Sequence, residues 1–213
     1  RGVRSSQDCK EAVIENIASN VMKKKDKKEI VELYYDFQKA YDNVNHSFLE
    51  ELLDLYGFSL GVPSLTMEMT DRWKIRLSYG SKKDVGDVKL TNGIIQGDAF
   101  SPLLFVLMID PLIKALKRKL GGHAEVLNYM DDLKASVSNI QIAETVHGIV
   151  KRNVDAVMMV ISSKKSSIQL NVQTTLRESL QEIPRLDKTT YKILGFEMRK
   201  GELDRKGMME KLE

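Results

Sequence analysis

The chain has 213 residues, 42% hydrophobic and 30% charged, with 33 Lys and Arg against 30 Asp and Glu. Such a length buries a sizeable core without cross-links, and the composition excludes a disordered or collagen-like chain. A formal net charge of +3 permits nucleic-acid binding without arguing for it. The basic clusters Lys23–Lys25, Lys27–Lys28 and Lys114–Lys119 are either solvated faces or phosphate contacts.

A single cysteine, Cys9, excludes an internal disulfide and a thiolate zinc cluster, and points to a reducing compartment, nucleus or cytoplasm. No signal peptide opens the sequence. The longest apolar stretch, Phe100–Ile113, is broken by Asp110 and Pro111 and is too short for a bilayer, so no membrane partner is expected. The sequence begins at Arg1 rather than Met and stops in a charged helical pattern, Lys206–Glu213, so both ends read as cut from a longer protein. It gives no basis for an oligomeric state.

In chain order, Ile14, Ile17, Ala18 and Val21 share one face of a helix predicted over Asp8–Met22. After a Lys-rich turn, the β-branched and aromatic run Ile30–Tyr35 predicts a strand. Ser47 and Glu50 form an S-x-x-E capping box for a helix ending near Gly57, and a short helix follows Pro63. Trp73–Tyr79 and Val85–Leu90 read as a hairpin. With Ser101 as N-cap and Pro102 in the first turn, a helix is predicted that is apolar on every side from Leu103 to Ile109, kinked at Pro111 and ended by Gly121-Gly122. Ala124–Val137 reads as two strands with Met130-Asp131-Asp132 at their junction. Ser138 and Gln141 cap a helix whose Ile142, Val146, Ile149, Val150 and Val157 share a face. Strands over Ser167–Val172 and Tyr191–Met198 follow. The pattern is α+β, an antiparallel sheet backed by helices, in one continuous domain.

Two adjacent acids between apolar strands are unusual, because neighbouring carboxylates repel and a tight hairpin prefers Asn-Gly or Asp-Gly. Divalent cations would relieve the repulsion at Asp131 and Asp132; a polar turn that happens to carry two acids is the alternative. Asp36 closes the strand Ile30–Tyr35, and sheet pairing could bring it beside that turn. Three carboxylates together suit two-metal phosphoryl transfer, and Mg²⁺ favours such hard oxygen ligands. A simple cap on the chain leaving the strand is the other reading of Asp36, although Asp42 suits that role better. Between these acids, Gly93 and Gly97 flank Gln96 in a loop before a helix N-terminus, where backbone can approach a ligand or simply turn. His46, His123 and His147 have no ligand spacing, and Trp73 reads as core.

These segments, in this order, resemble the motifs of reverse transcriptases, most closely those of non-LTR (LINE-type) retrotransposons. Asp36-Phe37-Gln38-Lys39-Ala40-Tyr41-Asp42 resembles the first palm motif; Gln96-Gly97-Asp98 through Phe105 resembles the second; Tyr129-Met130-Asp131-Asp132 resembles the third, a metal-binding turn. Ile161–Ser166 resembles the fourth and Tyr191–Phe196 the fifth, while Arg1–Asp8 resembles the stretch after the fingers strands. The resemblance implies a right-hand polymerase palm with part of the fingers: residues 1–28 on the fingers side, 29–200 the palm, 201–213 the start of a connection to the thumb.

It further implies an RNA-directed DNA polymerase core with two Mg²⁺ ions, or Mn²⁺ in their place, on Asp36, Asp131 and Asp132. Lys165 would protonate pyrophosphate. Tyr41 and Phe37, with Gln96 and Gly97, would meet the nucleotide, and Tyr41 would reject a ribose 2′-hydroxyl. Tyr129, Met130, Leu194 and Gly195 would meet primer and template. The implied partners are an RNA template, a DNA primer and deoxynucleoside triphosphates, and the implied setting is retrotransposition. Ser162 and Asn92 depart from the family's usual Asn and basic residue. No endonuclease, RNase H or zinc motif occurs in the 213 residues. The fingers strands and the thumb would lie outside them. A degenerate or domesticated palm serving as an RNA-binding module is the rival reading. An RNA-templated RNA polymerase is disfavoured by Tyr41, and a group II intron-type enzyme is less similar in the second and third motifs.

Overall fold

The computed structural model describes residues 14, 17–18, 30–59, 61–79, 83–170, 178–184, 190–193, 196–199 and 202–203. Ile14, Ile17 and Ala18 are helical, in keeping with the predicted first helix; the rest of that helix, the Lys-rich turn, Val172, Leu194, Gly195 and residues 204–213 lie outside the described residues.

The central sheet has four antiparallel strands in the order β4-β5-β1-β6: β1 (Val31–Tyr35), β4 (Ala124–Tyr129), β5 (Asp132–Val137) and β6 (Ser167–Leu170). The β-branched and aromatic residues of β1 give it the central position. Val31, Leu33 and Tyr35 alternate onto one face with Leu133, Ala135, Val137 and Ile168, all buried.

Two helices back that face. Helix α3 (Ser101–Leu120) carries Leu104, Phe105, Met108, Ile109, Leu112 and Leu116 into the core, and α4 (Ile140–Ala156) carries Val146, Ile149 and Val150. Helix α4 lies on β1 and β5, while α3 packs against α4 and β4. Pro111 sits inside α3, which continues through it to the Gly121 cap. Helices α1 (His46–Leu55) and α2 (Gly61–Arg72) pack on each other, with α1 against α3. The hairpin β2 (Lys74–Tyr79) and β3 (Lys83–Lys89) forms a separate exposed ribbon. Helix α5 (Glu178–Gln181) and a sheet of β7 (Thr190–Ile193), β8 (Phe196–Arg199) and β9 (Glu202–Leu203) follow.

Polar residues hold the sheet as well. The Tyr35 hydroxyl meets His147 Nδ1 at 3.2 Å, and His147 Nε2 meets Glu182 Oε1 at 2.9 Å. The carboxylate can only accept, so Nε2–H donates and Nδ1 accepts from the tyrosine. Burial, then the charge of Glu182, pushes the Tyr35 phenol up. On the opposite face, Lys134 Nζ pairs with Glu32 Oε1 at 2.6 Å, both side chains nearly buried. The Tyr34 hydroxyl donates to Glu32 Oε2 at 3.0 Å.

The elements match the sequence expectations more closely than their caps do. Asn45, not Ser47, caps α1 through the Phe48 N–H. Asn139, not Ser138, caps α4 through the Ile142 N–H. The helix expected after Pro63 begins at Gly61 and runs for 12 residues.

Candidate active site

Asp36 follows the last residue of β1. The β1–β5 register ends at Tyr35↔Leu133, and one step further along the same ladder stands Asp132. The β4–β5 register ends at Tyr129↔Asp132, leaving Met130 and Asp131 as the turn. Asp36 and the acid pair therefore share one end of two neighbouring strands. Met130 holds φ at 51°, a left-handed conformation that costs a side-chain-bearing residue about 1–2 kcal/mol. Asn128 offsets this by donating Nδ2–H to the Met130 carbonyl at 3.0 Å and to the Asp132 carbonyl at 3.4 Å. The only sequence signal for Asn128 is an Asn two residues before a tight turn.

The carboxylate of Asp36 is asymmetric. Its Oδ1 is buried without a hydrogen-bond partner, whereas Oδ2 stands 3.5 Å from Lys165 Nζ. An unpartnered buried carboxylate oxygen is costly unless something cationic meets it. Lys165 is mostly exposed and holds its carboxylate loosely.

Tyr41 connects the acids to α3. Its ring stacks on Phe105, with centroids 5.2 Å apart and planes 10° from parallel. Burial, then the negative charge of Asp131, raises its phenol above the ordinary value. Phe37 differs: its side chain is 3% exposed and belongs to the core, leaving only main chain there for a ligand.

The loop before α3 is tied to the turn carrying Tyr41. The Gly93 N–H donates to the Val44 carbonyl at 2.8 Å and the Ile94 N–H to the Tyr41 carbonyl at 2.9 Å. His46 Nε2 donates to the Gly93 carbonyl at 2.6 Å, a tie that the histidine's sequence context did not announce. Asp98 then caps the chain entering α3, its Oδ1 accepting from the Phe100 and Ser101 N–H groups at 2.8 and 3.1 Å. The expected cap, Ser101, is instead the first residue of the helix and wholly buried. Gln96 and Gly97 are exposed at the loop's crest. Tyr129 and Met130 are half-buried at the turn.

Among the described residues, no three His, Cys, Asp or Glu side chains stand close enough to hold a metal by themselves. Mg²⁺ takes one or two carboxylates and completes its shell with water and substrate phosphates. The vacant lone pairs of Asp36 Oδ1 and the hard oxygen donors of Asp131 and Asp132 fit such an ion.

An antiparallel sheet backed by two helices, with acids at one strand end, is a polymerase-palm-like α+β fold. Its likeness to solved structures agrees: apo telomerase from Candida tropicalis, truncated from its C-terminal domain, superposes with a TM-score of 0.70 at 13% identity, over 93% of this chain and 40% of that one. Telomerase from the same species with a fragment of telomeric RNA gives 0.68 at 12% identity, over 93% and 33%. The sequence profile of reverse transcriptase (RNA-dependent DNA polymerase) matches residues 2–198, and the chain belongs to that family. Among its relatives, the Pol polyprotein of a type-1 R2 retrotransposable element of Nasonia vitripennis is 27% identical over 178 residues, 75% of this chain and 17% of that protein. The corresponding polyprotein of the type-2 element R2DM of Drosophila melanogaster is 28% identical over 115 residues, 54% and 11%. These relatives agree with the non-LTR resemblance of the motifs. The chain spans less than a fifth of either relative's length.

Proposed function

We propose that this chain is the catalytic core of an RNA-directed DNA polymerase of a non-LTR retrotransposon. Residues 29–200 serve as the palm, residues 1–28 lie on the fingers side, and residues 201–213 begin the connection to the thumb. The observation that carries the proposal is that Asp36, with its unpartnered Oδ1, and the Asp131-Asp132 turn lie at the same end of β1 and β5.

In the reaction, the primer O3′ attacks the α-phosphorus of a deoxynucleoside triphosphate. The bond to pyrophosphate breaks, and the hydroxyl proton is lost. Asp36, Asp131 and Asp132 are the residues that would hold Mg²⁺, or Mn²⁺ in its place. When bound, such ions increase the nucleophilicity of the hydroxyl and stabilise negative charge on the phosphates. Lys165, exposed beside Asp36, is free to swing toward the leaving pyrophosphate and give it a proton. Tyr41 offers its ring, backed by Phe105, as a floor under the sugar; this stacking leaves the ring no space to yield to a 2′-hydroxyl. Gln96 and Gly97 position the nucleotide and the template, and Tyr129 and Met130 face the primer end. Leu194 and Gly195, outside the described residues, complete the primer grip by family resemblance. The partners are an RNA template, a DNA primer and deoxynucleotides, and the work is done in the nucleus or cytoplasm.

Primer extension on a primed RNA template with Mg²⁺ or Mn²⁺ tests this, comparing the chain, a version extended at both ends, and Asp131→Asn in each. Extension that disappears with Asp131→Asn is the expected result. Binding of primed RNA without extension by any version would instead establish an RNA-binding module.

A further inference from the structure

The regular ladders on both sides of β1 stop just before Asp36, so something other than the sheet must orient this residue. On the β5 side the last pair is Tyr35↔Leu133. On the β6 side the last pair is Tyr34↔Ser167. The next residue back along that strand is Ser166, which is 1% exposed.

Ser166 takes over where the backbone ladder ends. Its Oγ accepts the Asp36 N–H at 3.1 Å and lies 3.4 Å from the Asp36 carbonyl oxygen, to which it donates. A hydroxyl can do both at once, having one proton and two lone pairs. The Ser162 N–H donates to the same carbonyl at 2.8 Å. Ser166 is itself fixed, because its own N–H returns to the Ser162 carbonyl at 2.8 Å. Beyond Asp36 the chains re-pair: Phe37 bridges Ile161, and the Gln38 N–H donates to the Val160 carbonyl at 2.8 Å. The segment 160–166 thus grips the main chain of Asp36 from both directions.

Resting on the polymerase reading above, we infer that Ser166 is a positioning residue for metal binding: its hydroxyl locks the Asp36 peptide, and so holds the carboxylate in place at the strand end that it shares with the acid turn. The neighbouring side chain, Lys165, stands at the other oxygen of the same carboxylate. Adjacent residues of one loop therefore govern the backbone and the side chain of Asp36 separately. Removal of the hydroxyl leaves the Asp36 N–H without its acceptor and frees the carboxylate to turn. Groups that orient a metal ligand in this way are worth about 10–100-fold in affinity.

The test is Mn²⁺ binding to the whole chain, followed by electron paramagnetic resonance alongside the melting temperature, for the native protein, Ser166→Ala, Ser166→Thr, Ser166→Cys and Asp36→Asn. Ser166 lines a pocket of about 240 Å³ with His147, Met159 and Ile183, which gives the extra methyl of threonine somewhere to go. The expected result is that Ser166→Ala weakens Mn²⁺ about tenfold, Ser166→Cys weakens it less, and Ser166→Thr restores native affinity. A merely structural serine would lower the melting temperature of Ser166→Ala and leave affinity intact. Native affinity in Ser166→Ala, or in Ser166→Cys should the alanine variant fail to fold, overturns the inference while Asp36→Asn still weakens binding. Native affinity in Asp36→Asn overturns the metal site itself, and the inference with it.

Discussion

A Cβ built on Gly93 would stand 2.7 Å from the Asp42 carbonyl oxygen, and the residue holds φ at +84°. Backbone of the turn after Asp36 leaves no space for a side chain there. Gly97 also has positive φ, at +90°, but nothing lies within 4 Å of its Cβ position. Gly93→Ala is therefore expected to destabilise the fold by about 1–3 kcal/mol and loosen the Gln96 loop. Gly97→Ala bears the backbone strain without the clash and should cost less; chemical denaturation of the two variants checks the ordering. The sequence presented both as loop glycines next to a helix. Which one meets its own chain and which one opens outward depends on a contact with Asp42, some fifty residues away, and no local pattern carries that. Phe37 teaches a similar lesson: the resemblance implies a nucleotide contact there, and its side chain lies in the core, so that contact would be made by its main chain.

Among the elements, β1 and β5 carry the most. Their second face holds Glu32 and Lys134 in a 2.6 Å ion pair with little access to water, joined by Ser136 and Tyr34. Removing one partner from such a pair costs far more than replacing both with apolar residues. Lys134→Met is thus expected to lose about 3–5 kcal/mol of stability, and Glu32→Leu combined with Lys134→Met to recover most of it, by urea denaturation. An equal loss in both would contradict the pairing. Strand and helix positions were legible because alternation and 3.6-residue periodicity are local. The caps were not. Asn45 competes with Ser47, Asn139 with Ser138, and Asp98 with Ser101. All are good capping types, and the winner is whichever stands where the chain leaves its extended conformation, as Asn45 and Asn139 do.

Across the whole molecule, the pairing of β1 with β5 and β6 joins segments far apart in the chain, which no propensity encodes. The sequence offered only that sheet pairing could bring Asp36 beside the acid turn; the place of β6 comes from the structure, and the telomerase likeness at 13% identity agrees with the overall fold. The acids were legible as candidates, because paired carboxylates at a strand junction repel each other. The Asn128 brace, the His46 tie and the Ser166 clamp were not, since each is an ordinary polar residue whose meaning comes from one distant or turn-bound partner.

The most direct test of the account is single-turnover incorporation of one deoxynucleotide by the chain extended at both ends, native against Asp36→Asn, with primed-RNA affinity measured on the same samples. The account predicts a loss of about a thousandfold or more in the chemical step, with affinity for primed RNA nearly unchanged. Equal incorporation rates in the two proteins would contradict it.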